Sequence, residues 1–239
     1  NYVMAQAMQI AKRKGLTILS HAEDMELSPF DYRLAENMAT VQHIHLAGYL
    51  GARLHMCHVS TKEAMEEIIR AKQAGAPVSC EVAPHHLWFY DTDYRVNPPI
   101  RTKQDRDFLI QAIENGYVDA IATDHAPHTE EDKKNGAPGM VGLETAFGVC
   151  YTILVKENGL PLTMLSQLLS ASPARILGLQ KGRLLPGYDA DFVLVDEGRR
   201  WTACAADFAS KGKNSPFDGS HLQGKVIRTI KAGKTVWQE

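Results

Sequence analysis

The chain has 239 residues, 44% hydrophobic and 23% charged, with 26 Lys and Arg against 28 Asp and Glu for a formal net charge of −2. That length accommodates one large domain or two smaller ones around a sizeable core, and the near-neutral balance gives no electrostatic reason to expect nucleic acid or an acidic membrane as partner. No apolar run approaches the ~20 residues of a membrane span and no signal-peptide pattern opens the chain, while Cys57, Cys80, Cys150 and Cys204 lie far apart without a CxxC pair, which suits reduced thiols in the cytoplasm.

Residues 15–20 (GLTILS) form a short apolar run that meets His21-Ala22-Glu23-Asp24. Residues 53–59 (RLHMCHV) read as a second strand whose end carries His58. It passes into Ser60-Thr61-Lys62-Glu63, where Ser60 and Glu63 match a capping box. The helix that follows aligns Ala64, Met65, Ile68 and Ile69 and stops at Gly75. Residues 77–82 (PVSCEV) are a third strand, ending at Ala83-Pro84-His85-His86. Thr102 caps another helix, with Phe108, Leu109, Ala112 and Ile113 on its inner face and Gly116 beyond its end. Residues 118–123 are a fourth strand and lead into Asp124-His125-Ala126-Pro127-His128, where Pro127 bars a helix from simply continuing. Residues 130–134 (EEDKK) are expected in an exposed loop. Strands alternating with helices predict parallel βα units.

Further on, residues 162–179 read as helical, capped by Thr163. From about residue 182 the character changes: a turn marked by Gly182, Pro186 and Gly187 enters an alternating strand. Residues 224–238 then read as two short strands around Ala232-Gly233. Asp189 and Asp191 are expected in a solvated turn before the first of these strands. No internal repeat or low-complexity segment interrupts the pattern.

The polar residues gather where strands end. His21, His58, the pair His85-His86, and Asp124 with His125 each close a predicted strand. In a βα-barrel that end is the catalytic face. One histidine at a strand end is ordinarily a hydrogen-bonded structural residue; four successive ends carrying His or Asp point to a site. Imidazole and carboxylate form the ligand set of a catalytic zinc or similar divalent ion, which activates water, and a nearby Asp can carry its proton. No GxSxG-like nucleophile turn and no GxxxxGK[ST] phosphate loop occurs.

The segments ILSHAED, LHMCHVST, EVAPHHL, NPPIRTKQDRDFL, AIATDHAPHTEEDK and GLETAFG, in this order, resemble the successive motifs of the dihydroorotase family, in the cyclic amidohydrolase branch of the amidohydrolase superfamily. SPARILGL, KGRLLPGYDADFVLVD and SKGKNSPFDG are similar to that family's C-terminal region, so the likeness runs over nearly the whole chain. The resemblance implies an α/β fold: an amidohydrolase-type (β/α)8 TIM barrel with a small accessory β-sandwich. Residues 1–181 would be the second half of the barrel and residues 182–239 part of the sandwich. It further implies His21 and His58 as zinc ligands, and Asp124 as both ligand and catalytic acid/base. Asn97 and His128 would hold the substrate's polar groups and carboxylate, and Phe147 and Gly148 would line the pyrimidine ring. His85, His86 and His125 are expected in supporting or packing roles, and His43, His45, His55 and His221 in structural or surface ones.

The implied reaction is the reversible, zinc-dependent interconversion of N-carbamoyl-aspartate and dihydroorotate in pyrimidine synthesis, with two zinc ions per complete site. The implied assembly is a cytoplasmic homodimer associated with aspartate carbamoyltransferase. The chain departs from the family at its start. A full barrel needs eight βα units in roughly 250 residues, and only four precede the tail. The family's His-x-His followed by a substrate-binding Arg at the end of the first strand, and its Asp-Asp-Gly segment, have no counterpart here. Residues 1–239 alone are therefore expected to be catalytically silent. Two alternatives stand beside this reading: an allantoinase- or dihydropyrimidinase-like cyclic amidohydrolase, and a non-catalytic scaffold.

Overall fold

Parallel strands cannot be joined by a tight turn; they need a crossover of a dozen or more residues. The computed structural model, which describes residues 2–239, builds its first unit on such crossovers. That unit comprises the chain up to Asp93 together with Pro98–Ala122; Tyr94–Asn97 and Thr123–Glu239 form the second. In the first, α1 (Tyr2–Lys14) precedes β1 (Thr17–Ser20), and α2 (Tyr32–Leu50) leads to β2 (Arg53–Met56). Next, α3 (Lys62–Gln73) leads to β3 (Val78–Val82), and the short α4 (Pro84–Trp88) and α5 (Lys103–Glu114) lead to β4 (Ala120–Ile121). The four strands form one parallel sheet in chain order, pairing Ile18 with Leu54, Met56 with Cys80 and Val82 with Ile121. All four C-terminal strand ends therefore lie on one edge.

The core of this unit follows from the helix pattern. Met65 and Ile68 of α3, and Leu109 and Ile113 of α5, are fully buried with Leu54, Met56 and Val82 of the strands. Each such side chain contributes on the order of 1.5–3 kcal/mol. Asp31 caps α2 by accepting from the Arg33 and Leu34 amides, and Gly51, left-handed at φ 62°, ends it. The expected cap of α5 is present as a full box between Thr102 and Asp105.

Several local expectations change. Thr61, not Ser60, caps α3, accepting from the Ala64 amide, because the Ser60 hydroxyl and amide are taken by Glu36. β2 stops at Met56 rather than residue 59, since His58 turns left-handed at φ 34°. Residues 130–134, exposed apart from the half-buried Lys133, are helical (α6, Glu130–Lys134), started by a capping box between Thr129 and Asp132.

In the second unit, α7 (Ala146–Cys150) runs into a π-helical stretch, Tyr151–Glu157. Then α8 (Leu162–Ser166) begins behind Pro161, so Thr163 is no cap, and it widens into a π-helical Gln167–Ala171 before α9 (Ser172–Leu177). Pro173 lacks the amide that would bond the Leu169 carbonyl, which favours widening there. Last come β5 (Phe192–Thr202), β6 (His221–Lys231) and β7 (Lys234–Gln238), an antiparallel sheet in that order. The β6–β7 hairpin turns at Ala232 (φ 49°) and Gly233 (φ 76°), the positive pair of a type I′ turn. Asp191 is more than solvated: it accepts from the Ala232 amide at 2.8 Å, and Lys181 bridges it to Asp189. All four cysteines are free thiols, and burial pushes Cys80 and Cys150 up to about 12. Among the described residues no helix is long and apolar enough to cross a membrane.

Candidate active site

β1 and β2 are hydrogen-bonded neighbours, so the residues just past their C-terminal ends are brought side by side. His21 Nδ1 lies 2.9 Å from His58 Nε2, with the rings edge to face at 4.7 Å. The far nitrogen of His21, Nε2, is 2.8 Å from Glu23 Oε2, and Glu23 Oε1 accepts from the Ser28 hydroxyl at 2.5 Å. A carboxylate on Nε2 favours the tautomer with its proton there and leaves the Nδ1 lone pair facing His58. Glu23 stands in the sequence two residues after His21; its acid-next-to-histidine spacing was the available signal for this role.

The backbone is distinctive at two of the candidate residues. Among the described non-glycine residues only His58, Asp91, Asp124 and Ala232 have positive φ. His58 (34°) and Asp124 (49°) are thus two of four such residues. Strain of this kind costs on the order of 1–3 kcal/mol and collects at functional sites. His58 is held on both sides: the Cys57 amide donates to Ser20 O and the Val59 amide to Glu81 O, each at 2.9 Å. Asp124 follows β4 after Ala122 and Thr123 and belongs to the second unit.

The other histidines have local occupations. His43 bonds Ser20 Oγ (2.8 Å), His55 lies between Ser79 Oγ and Glu81, and His221 bonds Thr202. The rings of His85 and His86 pack 4.2 Å apart in the core, and His86 Nε2 donates to the Pro98 carbonyl. Burial, with His58 nearby, pushes His85 down to about 3, so it is neutral. His125 Nδ1 accepts from the Gly142 amide.

In the second unit, His128 is fixed at two points. Its Nε2 donates to Pro138 O at 2.9 Å and its amide donates to Asn214 Oδ1 at 2.9 Å. Lys133 donates to the carbonyls of Arg95 (3.0 Å), Ala137 (2.9 Å) and Gly139 (2.9 Å), tying the loop after His128 to the segment that carries Asn97. Gly139, at φ 131°, must be glycine: a Cβ would stand 2.7 Å from Ala126 Cβ and 3.0 Å from His128 Nε2. Lys133, Gly139 and Asn214 carried no sequence signal, because their partners are distant in the chain or lie in the backbone. Phe147 stacks on Tyr151 at 5.7 Å. Gly148 faces Trp201, whose ring would be 2.8 Å from a Cβ, and its carbonyl accepts from Thr152 Oγ1. Its missing side chain thus already serves the packing of α7 against β6.

The chemistry of the His21–His58 pair fits zinc. Two nitrogens on one tetrahedral zinc at 2.0–2.1 Å stand about 3.3 Å apart, so a 2.9 Å pair needs only a few tenths of an ångström of opening. Among the described residues, no three His, Cys, Asp or Glu side chains are grouped to hold a metal; the pair supplies two donors with a carboxylate behind one of them.

The amidohydrolase family profile matches residues 2–236. The chain is 52% identical over 239 residues to a dihydroorotase of Clostridium botulinum, covering 99% of this chain and 60% of that protein. It is 39% identical over 264 residues to a dihydroorotase of Geobacillus, covering 99% and 62%. It therefore spans about three-fifths of the curated relatives it matches. Among solved structures it superposes on an L-hydantoinase from Arthrobacter aurescens with a TM-score of 0.93 at 28% identity, covering 98% of this chain and 60% of that one. A D-hydantoinase from Thermus gives 0.93 at 24%, with the same coverage, which speaks for the fold alone. With a parallel sheet, a separate antiparallel sheet and a match along nearly its whole length, the chain belongs to the amidohydrolase family.

Proposed function

We propose that this chain is the metal-binding and proton-transferring part of a dihydroorotase. The observation that carries the reading is the convergence of His21 Nδ1 and His58 Nε2 at 2.9 Å, with Glu23 orienting His21. When bound, zinc lowers the pKa of a water towards neutrality and polarises the scissile amide carbonyl. His21 and His58 hold it from two strand ends. Asp124 is the third ligand and the proton carrier, delivering to the departing ring nitrogen. Asn97 and His128 bind the substrate's polar groups and carboxylate, and Phe147 with Gly148 lines the ring. Residues 1–181 are assigned to the barrel and 182–239 to the accessory sandwich. The family resemblance supports two zinc ions per complete site and a cytoplasmic homodimer that associates with aspartate carbamoyltransferase.

The test is hydrolysis by the full-length protein, zinc-loaded, of dihydroorotate, allantoin, dihydrouracil and hydantoin. Preference for dihydroorotate supports the reading. Preference for an uncharged ureide moves it to the allantoinase and dihydropyrimidinase class, and no turnover of any moves it to the scaffold. In the active protein, Asn97→Ala and His128→Ala are expected to weaken use of dihydroorotate more than of dihydrouracil. Each lost bond to a charged group is worth roughly 1.5–3 kcal/mol, about a tenfold to hundredfold fall in kcat/KM. Equal losses on both substrates would make the two residues structural.

A further inference from the structure

α2 carries a carboxylate on its buried face: Glu36 is 4% exposed. Both of its oxygens are committed. Oε1 accepts from the Ser60 amide (2.8 Å) and the Thr61 amide (3.3 Å). Oε2 accepts from the Ser60 hydroxyl and from the Arg101 guanidinium (3.0 Å). Arg101 also donates from Nε to Ser60 Oγ (3.0 Å) and from Nη2 to Tyr32 O (3.3 Å). Ser60 and Thr61 are themselves sealed from solvent. Stability alone is a poor reason for such a pair, because well-packed apolar residues commonly serve a buried site as well or better.

Its location gives another reason. Ser60 lies two residues beyond His58, whose left-handed backbone would relax if the following residues were free to move. Main-chain bonds from Cys57 and Val59 flank His58 itself, and the Glu36–Arg101 pair holds the next two residues, Ser60 and Thr61. We propose that Glu36, backed by Arg101, is a positioning residue that locks the loop after β2 and so keeps His58 Nε2 aimed at the point it shares with His21 Nδ1. The proposal rests on the reading of His21 and His58 as zinc ligands. Glu36 touches neither metal nor substrate; it acts through the Ser60 and Thr61 amides.

The experiment uses the full-length protein and measures zinc affinity by competition with a chromophoric chelator, alongside kcat, KM and urea unfolding. Glu36→Gln is expected to weaken zinc binding by about 10–100-fold, the usual effect of losing a group that orients a ligand. It should lower kcat while leaving KM for dihydroorotate within about threefold. Two comparisons separate positioning from general damage. Asp119→Asn breaks the Lys72 ion pair at the opposite end of the sheet and should lower stability without changing zinc affinity. The double replacement Glu36→Met with Arg101→Met removes both charges together, so that neither is left buried alone, and should still lose zinc affinity. If His58→Ala weakens zinc binding while Glu36→Gln and the double variant bind zinc within twofold of the parent, the positioning inference is overturned and the ligand reading stands. If His58→Ala itself leaves zinc affinity unchanged, the ligand reading fails first.

Discussion

Replacing Asp124 by Asn in the full-length protein is expected to lower turnover of dihydroorotate by at least ~10²–10⁴-fold, the usual contribution of a positioned acid or base. Asn keeps the volume of Asp and cannot carry a proton. The backbone sharpens the test. Asp124 sits at φ 49°, and Asn is among the few residues that tolerate this region as well as Asp does. Asp124→Asn should therefore unfold close to the parent's midpoint while losing activity, whereas Asp124→Ala would combine backbone strain with chemical loss. Initial rates of ring opening, paired with urea unfolding, check this. More than a tenth of the parent rate in the Asn variant would sink the assignment.

The site was legible where sequence and strand period coincide. His21, His58 and Asp124 stood out as candidates because each follows an apolar run, and chain-order parallel pairing places the ends of those runs on one edge. The supporting groups were illegible because their meaning lies in distant partners. Ser60 and Thr61 are both plausible cap residues in SerThrLysGlu; a carboxylate on α2 decides between them, and nothing local announces Glu36. Residues 130–134 read as loop by composition alone, yet Thr129 and Asp132 form a capping box that the charge run concealed. Gly148 shows the converse. A motif glycine invites a reading at the substrate, while its absent side chain is also required by Trp201, far along the chain.

The second large effect concerns Asp105, which is 1% exposed and gathers three helix starts. It accepts from Arg33 of α2 at 2.9 and 2.7 Å, from the Lys62 amide of α3 at 2.9 Å, and from the Thr102 amide and hydroxyl at the head of α5. Burial alone would raise this carboxyl, but the bonds from Arg33, Thr102 and Lys62 outweigh it and hold it well below the usual carboxylate range. Asp105→Asn should cost on the order of 3 kcal/mol, the low end for breaking a buried pair, because Arg33 keeps some solvent and the Glu63 carboxylate. The pH dependence has a definite sign. A depressed folded pKa means that the carboxylate's contribution is fully present above its unfolded value near 3.9, and is lost as pH falls through the lower folded value. The stability gap between parent and Asp105→Asn should thus stay level from pH 6 to 8 and close progressively below about pH 4. Urea unfolding of both proteins across that range measures it, and a gap unchanged in acid would show that the charge is not what binds these helices. Helix starts follow strand ends, so this clasp lies at the same edge of the sheet as His21 and His58. Its loss should loosen the loops that carry His21 and His58 before it unfolds the sheet.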